Sequence, residues 1–131
     1  MDIERLQELR RVIVETPDER VDLNGWARSC GTIACVLGWA CKHPPFVAEG
    51  LHLFEDEGAY TPCFGNFINY EAGGEFFRLS YPDAEFLFGP RSWGDATGRA
   101  DITDKQLALQ RIDELLGTRR SPYTDCFPCD D

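Results

Sequence analysis

Cys30, Cys35 and Cys41 fall within the run Ser29-Cys30-Gly31-Thr32-Ile33-Ala34-Cys35-Val36-Leu37-Gly38-Trp39-Ala40-Cys41. Cysteine at that density serves a metal, a redox couple, a nucleophile, or a helix packed from small residues. The nucleophilic reading takes Cys30, which directly precedes a helical pattern. There it would feel the positive end of the helix dipole and have free backbone N–H groups nearby as oxyanion donors. The chain holds two histidines, His43 and His52. His43 lies at the far end of the same pattern, about 15 Å or more away at 1.5 Å per residue. His52 is then the base of an alternative cysteine hydrolase, oriented by Asp22, Asn24 or an acid of the run Glu55-Asp56-Glu57. No catalytic residue is favoured over the simpler reading of His52 as an exposed strand residue.

Metal is a further alternative. Cys126-x-x-Cys129 has the spacing of half a zinc site, and Cys30 and Cys35 would have to complete it. No second C-x-x-C exists, so no metal site or cofactor is favoured and zinc stays an alternative. Cys-Phe-Pro-Cys also resembles a dithiol redox motif, but Asp130 and Asp131 beside it disfavour a thiolate. The residues Asp95, Thr97, Arg99, Asp101, Thr103 and Gln106 fall at calcium-loop offsets. Arginine at the fifth position, Ala100 for glycine and glutamine for the bidentate glutamate remove most of the attraction for a cation.

The elements that position these residues follow from periodicity. Residues 2–15 read as a helix capped by Asp2, with Ile3, Leu6, Leu9 and Ile13 on one face and Pro17 ending it. A second helix is expected from about Thr32 to Lys42, with Ile33, Val36, Leu37 and Ala40 inward. Gly31 with Cys35, and Ala34 with Gly38, would give it a small-residue face for close packing. Residues 51–54 alternate as a short strand, and 64–70 is a second strand candidate after the acidic turn, together a small hairpin. Residues 71–79 look helical despite Gly73-Gly74. Ser80 opens a two-turn helix, and Thr103-x-x-Gln106 is a capping box opening the last helix, which Gly117 stops.

The expected fold is therefore mainly α (α+β): four to five short helices packed around a Cys/Gly/Trp-rich central helix, with one small β-hairpin. Residues 1–117 form one globular domain, followed by a polar acidic tail, 118–131, that carries the C-x-x-C pair. A hydrophobic fraction of 43% supplies a core for a chain of 131 residues.

The formal charge is −10, from 13 Lys+Arg against 23 Asp+Glu. It disfavours binding to nucleic acid or an anionic membrane, since both need clustered positive charge. The charged start of the chain lacks a signal-peptide core, and no stretch approaches a membrane span, so a cytoplasmic protein is expected.

The segment Trp26-x-x-x-Cys30-Gly31-Thr32-Ile33-Ala34-Cys35-Val36-Leu37-Gly38-Trp39-Ala40 resembles a group of small uncharacterised proteins of bacteria and their phages that share Cys-Gly-Thr-x-x-Cys-x-x-Gly-x-Ala. Gly50-Leu51-x-Leu53, Phe76-Phe77-x-Leu79-Ser80, Leu87-Phe88 and Arg111-Ile112 extend the resemblance over most of residues 1–117. It carries over no catalytic residue. It implies a phage or prophage setting in a bacterial cell, where small acidic proteins act by blocking a host protein, defence nucleases included. The function expected from charge, size and resemblance is a non-enzymatic interaction module whose protein partner offers a basic surface. Its candidate binding residues are Glu55, Asp56, Glu57, Tyr60, Trp93 and Asp95.

Overall fold

The structure is a computed structural model that describes residues 1–23, 34–89 and 102–117. The first helix, α1 (Ile3–Glu15), starts where Asp2 accepts the backbone N–H of Arg5 at 3.1 Å. Its stripe Leu6, Leu9 and Ile13 is fully buried. Pro17 pushes Thr16 out of the helical region and α1 ends there. A single 3-10 turn, Asp18–Arg20, leads into a parallel bridge between Val21 and Ala34.

That bridge corrects the expected second helix. Ala34 donates its N–H to the carbonyl of Arg20 at 3.1 Å, and its own carbonyl accepts from Asp22 at 3.0 Å. Those groups are unavailable to a helical ladder, so α2 is only Val36–Ala40. Cys35 is its N-cap, with Sγ accepting from the N–H of Gly38 at 3.4 Å. Ala34 therefore stands before α2 and shares no helical face with Gly38, while Gly31, Thr32 and Ile33 lie outside the described residues. Val36, Leu37 and Ala40 are buried as their spacing demands.

Pro44-Pro45 ends that stretch and opens α3 (Pro44–Ala48), with proline in the first turn where no N–H is missed. The sheet follows as β1 (His52–Asp56), β2 (Ala59–Phe64) and β3 (Phe67–Ile68), antiparallel in the order β1-β2-β3. The expected strand over 64–70 is thus divided. Its first residue ends β2, two residues form β3, and Asn69 already begins α4 (Asn69–Phe77). The small hairpin is one half of a three-stranded sheet.

Helix α5 (Tyr81–Phe88) is capped by Ser80, and α6 (Asp104–Leu116) by a complete box between Thr103 and Gln106. Both side chains of that box are engaged in capping, and Thr103 Oγ1 also donates to Asp18 at 3.0 Å. The calcium offsets at 95–101 lie outside the described residues. The result is mainly helical with a small sheet, six α-helices among the described residues.

One core joins these elements. Phe76 and Phe77 of α4 meet edge to face with centroids 5.0 Å apart, and Phe46 of α3 touches both at 5.1 and 5.6 Å. Phe64 of β2 reaches Phe76 at 5.2 Å, and Phe88 of α5 reaches Phe77 at 5.8 Å. Arg10 forks onto Asp113 at 2.6 and 3.1 Å, fixing α1 along α6.

Gly73 explains why a glycine pair interrupts neither α4 nor its packing. A Cβ there would lie 2.5 Å from Phe88 Cε2 and 3.2 Å from Leu37 Cδ1. Phe88 is itself buried and held by Phe77, so it has nowhere to swing. Gly73→Ala would gain about 0.5–1 kcal/mol of helix propensity, but overpacking costs about 1–3 kcal/mol. The variant should therefore lose stability in urea unfolding despite its better helix former, and an unchanged or raised midpoint would contradict the close approach of α4 and α5.

Candidate functional site

The acids at the start of the sheet are placed by one turn. Glu57 and Gly58 both take positive φ, 54° and 83°, between the paired residues Asp56 and Ala59. Two central residues with positive φ make a type I′ turn, whose twist matches the flanking strands. A two-residue loop makes the flanking pair hydrogen-bonded, and the pairs alternate from there. Asp56–Ala59, Phe54–Thr61 and His52–Cys63 are then hydrogen-bonded pairs, while Glu55–Tyr60 and Leu53–Pro62 are not. Pro62, without an N–H, falls at a position that needs none toward β1.

The same register sorts the side chains. Leu53, Pro62 and Phe64 share the face toward the core. His52, Phe54 and Ile68 share the other face, where Phe54 is 56% exposed and Ile68 50%. Glu55, Asp56 and Glu57 are exposed, and Tyr60, across from Glu55, is half-buried. Four of the six expected binding residues thus come together in one hairpin. Trp93 and Asp95 lie outside the described residues. Sequence reasoning missed Phe54 and Ile68, because placing the second strand at 64–70 hid the face they share. The Glu57-Gly58 pair, flanked by alternating residues, was the signal for the true register.

A second acidic region is a groove of about 340 Å³ lined by Asp2, Glu4, Arg5, Glu8, Pro45, Phe46 and Glu49. Its charges are largely spent within the fold. Glu49 accepts from Arg5 Nε at 3.1 Å and Nη2 at 2.7 Å, while Arg5 Nη1 donates to the carbonyl of Phe76 at 2.7 Å. The Arg5 guanidinium also lies 3.9 Å over the Phe76 ring. Glu8 Oε2 meets Arg11 Nη2 at 2.5 Å and His43 Nε2 at 2.6 Å. Hydrogen bonds from Arg11 and then His43 hold the Glu8 carboxyl down at about 2. By contrast, no ion pair engages Glu55, Asp56 or Glu57 among the described residues.

The chemistry-bearing residues are otherwise arranged. Burial pushes the Cys35 thiol up to about 11, against the pull of the Gly38 N–H, and drives the Cys41 thiol up as well. His52 is exposed, its Nδ1 2.9 Å from the carbonyl of Gly50. Cys30, Cys126 and Cys129 lie outside the described residues. Among the described residues no group of three or more His, Cys, Asp or Glu is placed to hold a metal. None of their helices is long and apolar enough to cross a membrane.

No family model, curated protein or solved structure matches this chain. The geometry of its own residues is what carries a functional reading.

Two measurements follow from the site electrostatics. Because the Glu8 carboxyl titrates lower when folded, near 2 against an ordinary 4.5, its stabilisation is complete above about 4.5 and lost as pH falls toward 2. Thermal melting of wild type should decline over that window more steeply than melting of Glu8→Gln, and parallel curves would refute the pairing. Cys35 and Cys41 should react with a thiol reagent at pH 8 far more slowly than a small free thiol, and reach that rate only in denaturant. Fast labelling of either in the folded protein would overturn their burial.

Proposed function

We propose that this chain is a small acidic, non-enzymatic interaction module that binds a protein partner through a basic surface. The hairpin tip is the point of contact. One observation carries the reading: Glu55, Asp56 and Glu57 stand exposed on a turn of fixed geometry, free of internal ion pairs among the described residues, beside the exposed Phe54. Carboxylates that a fold spends on itself, as Glu8 and Glu49 are spent, offer a partner little. The hairpin acids keep their charge for association.

The net charge of −10 supports the same reading, since it accelerates encounter with a basic surface and suppresses acidic partners. The resemblance of the Cys30–Ala40 segment to small bacterial and phage proteins supports a finer version. In it the module is a phage- or prophage-encoded inhibitor that works in the bacterial cytoplasm by covering a basic groove of a host defence protein.

The reading is tested with the triple reversal Glu55→Lys, Asp56→Lys, Glu57→Lys, compared with wild type for retention of host proteins at graded salt. Exposed ion pairs are worth about 0.2–1 kcal/mol each, and reversal turns attraction into repulsion. Retention of the wild-type partner should drop about tenfold or more in the variant, with the difference shrinking at high salt. Equal retention by both proteins at every salt concentration would remove the hairpin from the interface.

A further inference from the structure

Strand β1 has a neighbour on one side only among the described residues. The hairpin register decides what the other side presents. His52, Phe54 and Asp56 turn their backbone groups toward β2, because they belong to its hydrogen-bonded pairs. Leu53 and Glu55 belong to the alternate pairs, so their N–H and C=O groups point away from β2, along the open edge. An edge of this kind is a template for another strand. Proteins commonly blunt such edges with proline, a bulge or a lysine. Here β1 is regular over its five residues, His52–Asp56, without proline, bulge or lysine, and the charges it carries against unselective pairing are the acids Glu55 and Asp56.

We infer that β1 is the docking edge for an extended basic segment of the partner protein, which adds to the sheet as a fourth strand and pairs with the backbone of Leu53 and Glu55. The inference rests on the proposed acidic interaction module and supplies its mode of binding. Charge selects the occupant. The edge ends in Glu55, Asp56 and Glu57, exposed and outside any ion pair among the described residues, so an added strand with basic residues toward that end neutralises them. The other half of the edge carries Phe54, 56% exposed, which an apolar residue of the incoming strand would cover. Backbone bonds supply affinity in strand addition and alternate side chains supply specificity. A second copy of this chain fits less well, because two chains of charge −10 repel and each brings acids rather than bases to the seam.

The probe is a capped heptapeptide of alternating lysine and valine, with a control of the same sequence and charge that is N-methylated on alternate amides. Binding to the full chain is read by fluorescence anisotropy at low salt. The unmodified peptide should bind, and the N-methylated one should bind about tenfold more weakly or worse, since lost hydrogen bonds of ordinary strength amount to that. On the protein, Glu55→Pro removes both the charge and the outward N–H, whereas Glu55→Gln removes the charge alone. Glu55→Pro should lose about tenfold or more in affinity, and Glu55→Gln about threefold or less. In hydrogen exchange, the Leu53 and Glu55 amides should become protected only when peptide is added, while those of His52 and Phe54 are protected from the start.

Equal binding of the two peptides overturns strand addition and leaves the acidic-surface reading standing. Failure of both peptides to bind counts against that reading itself. Dimerisation of the protein through β1, seen by sedimentation and abolished by Glu55→Pro, would also overturn the inference by giving the edge to a second copy. Should Glu55→Pro fail to fold, the peptide pair and the exchange pattern on wild type still decide the matter.

Discussion

The packing of two adjacent phenylalanines, Phe76 and Phe77, sets where everything else can stand. Adjacent positions on a helix lie about 100° apart, so the two rings leave α4 in different directions. Phe46 sits against both, Phe64 brings the sheet onto Phe76, and Phe88 brings α5 onto Phe77. Arg5 completes the arrangement by stacking over Phe76 while bonding its carbonyl, which ties α1 to the same residue. Burying a ring of this size contributes about 1.5–3 kcal/mol, and edge-to-face contact about 0.5–1.5 kcal/mol more. Gly73, one turn before Phe77, lets the Phe88 ring approach closely enough to join them.

Elements whose period and caps agree were legible in the sequence. The stripe of α1, the Thr103–Gln106 box of α6 and the Ser80 cap of α5 are local signals, and the structure places those helices accordingly. The errors arose where a distant group decided the matter. Nothing near Ala34 in sequence announces that Arg20 and Asp22 will take its backbone groups, yet that bridge delays α2 until Val36. Likewise the apolar residues of 64–70 suggest one strand, but Gly65 and Asn66 turn the chain between β2 and β3 and Asn69 begins α4, so no long strand forms. At the candidate site the acidic residues were legible from type and clustering alone. The exposed face of Phe54 and Ile68 was not, since it depends on a register set by Glu57 and Gly58.

The carboxylates of this chain divide into two populations. Asp2 caps its own helix, while Glu8, Glu49 and Asp113 are bound by arginines and a histidine and join helices to one another. Those of the hairpin join nothing within the described residues. A net charge of −10 would by itself be read as a solubility device. The division shows that part of it is structural and that another part is concentrated on a rigid turn. Burial raises the Cys35 and Cys41 thiols, so these cysteines act as core groups, and Cys35 satisfies one of the unpaired N–H groups in the first turn of α2.

Pro62 makes the sheet unequal at its two sides. Its ring nitrogen faces the flank where β3 covers only Cys63 and Phe64, so that flank offers no continuous ladder beyond two residues. Self-pairing that joins two different edges repeats from copy to copy and can end in a fibre, whereas pairing of one edge with itself closes as a dimer. Self-pairing through β1 alone would therefore stop at two copies. Among the described residues β1 is paired on one side only, and a net charge of −10 opposes its pairing with further copies.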